Sequence, residues 1–87
     1  METVIAKKTN DFLTPCLNMA SDMLRMPSKQ IWIDYDEGAD VIYMSFRRPQ
    51  RATETIEVNG DILLRKAGED VVGLTILNAS YNPAVKK

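Results

Sequence analysis

The first residues in this sequence whose types and spacing suggest chemistry are four neighbouring carboxylates: Asp34, Asp36, Glu37 and Asp40. Clustered carboxylate oxygens suit hard cations such as Ca²⁺ and Mg²⁺. The spacing does not fit a calcium-binding loop, because Gly38 is the fifth residue counted from Asp34 instead of the sixth, and Ser45 stands where the bidentate glutamate belongs. Acidic residues that keep a turn solvated explain the cluster more simply. We therefore predict no metal site and no cofactor.

Catalysis by side chains has little support in the sequence. The chain has no histidine, so no imidazole is available as a general base for Ser45, Ser80 or Cys16. Two carboxylates acting as acid and base need different environments across a cleft, and one short turn does not provide them. The glycines are scattered and form no phosphate-binding loop. We predict that the protein is not an enzyme; the opposite hypothesis requires a pocket lined by Asp34, Asp36 or Asp40.

A second candidate for binding is the basic segment that contains Arg47, Arg48 and Arg51 around Pro49. Guanidinium groups bind phosphates or the carboxylates of an acidic protein. A solvated loop is the alternative, since no recognition helix or aromatic stacking platform accompanies the arginines. The net charge of -1 gives no general attraction to nucleic acid. We therefore do not expect nucleic acid as the main partner.

The hydrophobic pattern predicts one helix followed by strands. Helical spacing runs over residues 10–26 and ends at Pro27, although Thr14 and Pro15 form an alternative start. Asn59-Gly60 predicts a type I′ turn, and Gly73 predicts a close backbone approach. The later segments alternate as strands bounded by turn formers, over Gln30–Tyr35, Val41–Arg47, Thr53–Val58, Asp61–Lys66 and Val71–Leu77. The predicted fold is therefore α+β, an N-terminal helix packed on a five-stranded antiparallel β-meander.

The predicted helix has two apolar stripes instead of one. One stripe suits packing on the sheet, and it consists of Leu13, Leu17, Ala20 and Leu24. The neighbouring stripe is rich in methionine, which adapts to irregular partner surfaces, and it consists of Phe12, Cys16, Met19, Met23 and Met26. A deeper intramolecular core would also explain it. We predict an interface between chains that contains Phe12, Met19, Met23 and Phe46.

Length and composition favour one small domain that associates. Residues 1–87 can form one domain, with a helix at 10–26 and a β-rich part at 30–80. A chain of this length buries only about 60–65% of the surface that its unfolded form exposes. The single cysteine, Cys16, excludes an intrachain disulfide, so a homodimer is the remaining common source of stability. The lone thiol and the lack of a signal or membrane segment predict a cytoplasmic protein with no membrane contact.

Two motifs resemble a known bacterial family. They are Tyr35-Asp36-Glu37-Gly38-Ala39-Asp40-Val41-Ile42-Tyr43-Met44-Ser45-Phe46 and Val72-Gly73-Leu74-Thr75-Ile76-Leu77-Asn78-Ala79-Ser80. At this separation they are similar to the domain-of-unknown-function family DUF2283, over about Ile31 to Ser80. The resemblance implies a compact, mainly β unit without an established activity, some of whose relatives look like companions of small toxin-like proteins. The chain departs from the family pattern at Gly38, where a glutamate is usual, and at Asn78, where an aspartate is usual.

Together these observations predict a non-enzymatic, homo-oligomeric protein-interaction domain of bacterial origin. A toxin-like or other small protein is a further possible partner. The alternative is an antitoxin-like or nucleic-acid-associated regulator that binds through the Arg47–Arg51 loop. The central expectation is that one copy of the chain carries more apolar surface than it can cover.

Overall fold

The structure is a computed structural model that describes residues 7–85, with side chains described from Thr9 onward. It contains one helix and one antiparallel sheet of five strands, so the predicted α+β class is confirmed. The elements in chain order are α1 (Lys7–Arg25), β1 (Trp32–Asp36), β2 (Val41–Ser45), β3 (Glu54–Glu57), β4 (Ile62–Ala67) and β5 (Asp70–Leu77). The strand boundaries lie close to the predicted ones, because the alternation of apolar residues is a local signal.

Helix α1 begins upstream of the predicted start and contains Pro15 in its interior. The alternative start at Thr14-Pro15 is therefore wrong. A proline inside a helix removes one backbone hydrogen bond and costs about 3 kcal/mol. The helix ends before Pro27 as predicted, and the amide of Met26 donates a final turn bond to the carbonyl of Met23 (3.1 Å).

The strand order is β1-β2-β5-β4-β3, which is not the predicted meander. Strands β3, β4 and β5 follow one another as hairpins, but β5 then pairs with β2. The order β2-β5-β4-β3 is that of a Greek key. The connection between β2 and β3 must therefore cross the end of the sheet, and it contains a cis peptide bond between Arg48 and Pro49.

The turns differ in how well they match their predictions. Gly60 has a φ of 86°, but Asn59 does not have a positive φ, so the Asn59-Gly60 turn is not type I′. The side chain of Asn59 instead accepts a bond from the amide of Asp61 (3.3 Å). The turn between β4 and β5 is placed as predicted, with Gly68 at a φ of 65°.

The register divides the sheet into two chemically different faces. Side chains alternate between the faces along each strand, and paired residues share a face. The face that we call the cleft face carries Trp32, Asp34, Tyr43, Ser45, Leu63, Arg65, Gly73 and Thr75. The face that we call the apolar face carries Ile33, Tyr35, Ile42, Met44, Ile56, Ile62, Leu64, Leu74 and Ile76.

The helix does not cover the apolar face, so the expected packing of α1 on the sheet is wrong. Within residues 7–85, no residue of α1 has its Cα within 8 Å of the Cα of a strand residue. The stripe predicted to contact the sheet is exposed, with Leu17 at 60% and Leu24 at 82% of their full accessibility. The molecule is accordingly elongated, with extents of 52 × 27 × 21 Å.

The buried core of the described residues is small. Its apolar members are Val41, Val72, Ile76 and Ala79, joined by the buried side chain of Asn82. Within residues 7–85, no helix combines the length and apolar character needed to cross a membrane.

Candidate functional site

A cleft of about 510 Å³ lies on the cleft face. The strands supply aromatic, acidic and basic groups, and the connection between β2 and β3 supplies two more polar side chains. Its lining residues are Trp32, Asp34, Tyr43, Met44, Ser45, Arg48, Gln50, Arg65 and Thr75. The residues come from four strands and one loop that are far apart in the sequence, so only the Greek key order brings them together.

Gln50 holds the loop onto the sheet at the edge of this cleft. Its amide nitrogen donates to Oγ of Ser45 (3.2 Å), and its carbonyl oxygen accepts from Nε of Arg65 (3.1 Å). The side chain lies over Gly73, where a Cβ atom would stand only 2.1 Å from Nε2 of Gln50. The predicted close approach at Gly73 therefore exists, and it involves both a side chain and the backbone. The same Cβ atom would lie 3.0 Å from the carbonyl oxygen of Met44.

Arg65 is positioned by two partners. Besides its bond to Gln50, its Nη1 donates to Oγ1 of Thr55 (2.8 Å) on the neighbouring strand. These two hydrogen bonds restrict a side chain that can otherwise adopt many rotamers. The guanidinium of Arg65 is therefore held in a defined place beside the cleft.

The three arginines predicted as a partner contact have different surroundings in the structure. Arg47 donates to Asp70 (3.0 Å) in an exposed ion pair. Arg48 lies over the ring of Trp32, with 5.8 Å between its Cζ and the ring centroid. Arg51 is exposed and has a φ of 49°. The sequence indicates no aromatic stacking platform beside the arginines, whereas the fold brings the ring of Trp32 next to Arg48.

A second group of polar side chains, the Asp40 cluster, consists of Tyr35, Asp40 and Ser80. The hydroxyl of Tyr35 donates to Oδ1 of Asp40 (2.7 Å), and the hydroxyl of Ser80 donates to Oδ2 (2.7 Å). The amide of Ser80 donates to both carboxylate oxygens, at 3.1 and 3.2 Å. The carbonyl of Asp40 accepts a bond from the amide of Ala79 (3.0 Å). These bonds attach the segment after β5 to the turn between β1 and β2.

The hydrogen bonds shift the protonation equilibria of the Asp40 cluster. Donation by Tyr35, followed by donation from Ser80, lowers the pKa of the Asp40 carboxyl, while partial burial opposes that shift. The same bond to Asp40 raises the pKa of the Tyr35 hydroxyl, and desolvation and the nearby carboxylates act in the same direction. The cluster is thus built to keep Asp40 ionised and Tyr35 protonated.

Stability should therefore depend on pH through Asp40. A carboxyl whose pKa is lower in the folded than in the unfolded chain stabilises the fold above its unfolded pKa, and that stability is lost as the pH falls through the folded pKa. We expect urea unfolding midpoints to fall with pH below about 4, near the ordinary pKa of aspartate, and to fall less steeply in the Asp40→Asn variant. Equal acid slopes in the two proteins would contradict this assignment.

The rest of the acidic turn is exposed, as predicted for Asp36 and Glu37. Oδ1 of Asp36 accepts a bond from the amide of Ala39 (3.1 Å), which closes the turn. Asp40 differs from the prediction of a solvated turn residue, because it is half-buried and bound to Ser80. Within the described residues, no three His, Cys, Asp or Glu side chains are grouped so that they could hold a metal ion.

The residues predicted at an interface lie on α1 and directly after β2. Phe12 and Met19 are exposed on α1, whereas Met23 is half-buried. Phe46 is half-buried and lines a depression of about 240 Å³ near the end of the helix. Met26, Pro27, Ser28 and Val71 complete that depression.

A family model described as a protein of unknown function, DUF2283, matches residues 32–80 of the 87-residue chain. The chain belongs to the DUF2283 family. The matched part of this DUF2283 protein comprises all five strands and ends at Ser80, while α1 lies outside it. No curated protein and no solved structure matches the chain.

The two motifs by which the sequence resembles DUF2283 meet in the Asp40 cluster. Tyr35 and Asp40 come from the first motif, and Ser80 comes from the second. Their hydrogen bonds join the segment after β5 to the turn between β1 and β2, which indicates that these motif residues close the DUF2283 fold.

The two departures of this chain from the DUF2283 pattern have different structural settings. Gly38 does not have a positive φ, and a Cβ atom there would meet only Oδ1 of Asp36 at 3.5 Å, so the turn does not require glycine. Asn78 has a φ of 50°, which asparagine tolerates well. Its amide donates to Oδ1 of Asp61 (3.2 Å). An aspartate at position 78 would instead place two carboxylates together.

Sequence reasoning missed the roles of Gln50, Arg65 and Asp40. No local pattern marks them, because their partners are distant in the sequence. Gln50 and Arg65 are 15 residues apart, and Asp40 and Ser80 are 40 residues apart. The only available signal was the pair of family motifs that contain Asp40 and Ser80.

Proposed function

We propose that this DUF2283 protein is a homodimeric protein-interaction domain in which a second copy of the chain covers α1 and the apolar face. The observation that carries the proposal is that one copy leaves both surfaces uncovered. Ile33, Tyr35 and Ile56 on the apolar face are 42%, 49% and 39% accessible. Ile76 on the same face is already buried, so the patch consists of the accessible part of the sheet face and the helix stripe, and a patch of this kind is typical of an interaction site.

The helix itself favours a partner. In proteins, most helical stability comes from packing of the apolar face and little from intrinsic propensity. Helix α1 has 19 residues and contains Pro15, and within the described residues none of its Cα atoms lies within 8 Å of a strand Cα. Its salt bridge between Asp22 and Arg25 is exposed and contributes little. A helix of this kind is expected to be stable only when another surface covers it.

The two surfaces also match in size. A helix of 19 residues is about 28 Å long at 1.5 Å per residue, and five strands at about 4.8 Å spacing are about 19 Å wide. One helix can therefore cross a complete sheet face. Since each copy has one uncovered helix and one uncovered sheet face, a reciprocal dimer would cover both with the same contacts twice.

The interface that we propose contains Phe12, Met19, Met23 and Phe46. Changing Met19 to aspartate should weaken the dimer at least about 30-fold, because a desolvated anchor residue contributes about 2 kcal/mol or more. Met19 is 54% accessible in one copy, so the substitution should leave the single chain folded. Sedimentation velocity over a range of protein concentrations measures the change.

Asn18→Asp is the matched control, because it adds the same charge one residue away, on the polar side of α1. It should leave the dimer unchanged. The proposal is contradicted if the unmodified protein sediments as a monomer at about 100 μM with a fully formed helix by circular dichroism. An equal effect of both substitutions would also contradict it.

The alternative, an antitoxin-like or nucleic-acid-associated regulator that uses Arg47, Arg48 and Arg51, is less well supported. It relies on all three arginines for binding, and Arg47 already forms an ion pair with Asp70, which a phosphate or an acidic partner would have to displace. We therefore keep the homodimeric interaction domain as the proposed function, with a small toxin-like protein as a further partner to be tested.

A further inference from the structure

The cleft has the size of a small-molecule site. Its volume of about 510 Å³ lies within the range of about 300–1,000 Å³ that is usual for ligand pockets. It is on the opposite side of the sheet from the apolar face, so a ligand there would not compete with the proposed dimer contact.

Two aromatic side chains provide flat surfaces in the cleft. Trp32 on β1 pairs with Ser45 on β2, and Tyr43 lies two residues before Ser45 on the same face. Tyr43 is 46% accessible, and Trp32 is half-buried. Exposed aromatic rings on a sheet are surfaces on which nucleic-acid bases stack.

Arg48 lies over the ring of Trp32 at a distance slightly too short for a planar ring between them. Optimal contacts between carbon atoms are about 3.5 Å long, so a flat ring contacting both groups needs about 7 Å. The present distance is 5.8 Å. Arg48 would have to move outward by about 1 Å, and it lies on an exposed loop. A planar ligand can therefore enter with a small displacement of one exposed side chain.

Charged groups in the cleft complement the aromatic rings. Arg65 is held in place by Gln50 and Thr55 through Nε and Nη1, and within the described residues its Nη2 has no hydrogen-bond partner. An arginine fixed in this way is well suited to a phosphate. Asp34 lines the same cleft, and its carboxylate can accept bonds from amino or hydroxyl groups. The combination calls for a ligand with a planar ring, hydrogen-bond donors and an anionic group.

We propose that this cleft binds a nucleotide, with its base between Trp32 and Arg48 and its phosphate at Arg65. Asp34 accepts a hydrogen bond from the sugar or from an amino group of the base. The nucleotide is either free or one unit of a single strand, since both present the same base, sugar and phosphate.

The test uses the fluorescence of Trp32, the only tryptophan of the chain. The full-length protein is titrated at constant ionic strength with adenosine monophosphate, adenosine, inorganic phosphate and a short single-stranded oligoadenylate. Adenosine monophosphate should change the fluorescence saturably, with adenosine and phosphate each binding at least tenfold more weakly. Tighter binding of the oligonucleotide, by tenfold or more, identifies a strand as the source; otherwise the free nucleotide is the ligand.

Arg48→Gln and Arg47→Gln form a matched pair for this test. Both remove one arginine from the same exposed loop, but only Arg48 lines the cleft. The first substitution should weaken binding of adenosine monophosphate at least tenfold, and the second should leave it within twofold. The proposal is overturned by the lack of a saturable signal at millimolar nucleotide, by equal binding of phosphate alone, or by equal effects of the two substitutions.

Discussion

Replacing Gly73 with alanine is expected to lower the free energy of unfolding by about 1–3 kcal/mol, the usual cost of forcing an extra methyl group into a packed site. The new Cβ would lie 2.1 Å from Nε2 of Gln50 and 3.0 Å from the carbonyl oxygen of Met44. The Gln50 side chain can move away, but it then loses its bonds to Ser45 and Arg65. Urea unfolding at one fixed protein concentration measures the change.

Gly38→Ala is the matched control for this substitution. Gly38 does not have a positive φ and has ordinary space for a Cβ atom, so alanine there should be neutral or stabilise the protein by up to about 1 kcal/mol. A Gln50→Ala background should reduce the cost of Gly73→Ala, because the colliding side chain is already gone. A Gly73→Ala protein as stable as the Gly38→Ala protein would refute the proposed packing of Gln50 on the sheet.

The second large effect on stability is expected from the substitution Asp40→Asn. Asparagine tolerates the φ of 56° at this position, so the substitution tests the carboxylate without adding backbone strain. The amide keeps one acceptor oxygen, whereas the carboxylate receives bonds from Tyr35 and from both the amide and the hydroxyl of Ser80. We expect a lower melting temperature and faster hydrogen exchange at the amides of Ala79 and Ser80.

Glu37→Gln provides the comparison for Asp40→Asn, because it makes the same carboxylate-to-amide change at an exposed position of the same turn. Its melting temperature and amide exchange should stay close to those of the unmodified protein. If the two variants melt at the same temperature, the Asp40 cluster does not hold the segment after β5 in place.

Local patterns were enough to predict the elements, and distant pairings explain what was missed. The strands could be placed because alternation in segments such as Val41–Ser45 is visible in a few residues. The strand order could not be predicted, because the pairing of β2 with β5 joins residues about 30 positions apart. A Greek key and a meander have the same local signals.

In the candidate site, too, single residues could be found from the sequence, but their contacts with distant residues could not. The sequence singled out the arginines and the acidic turn, but it did not connect either of them with Trp32. The fold brings Trp32 together with Arg48 and removes Asp40 from the solvated turn. The helix was found, but its packing was wrongly predicted, because an apolar stripe shows that a helix needs a partner without showing whether the partner belongs to the same chain.

The position of β5 between β2 and β4 has a consequence for biosynthesis. The strand at the middle of the sheet is the last of the five to be translated. Until it leaves the ribosome, the first hairpin and the β3–β4 hairpin have no shared neighbour, and isolated two-stranded hairpins are marginal in water. The nascent chain therefore acquires its tertiary structure in one late step, after residue 77 has emerged.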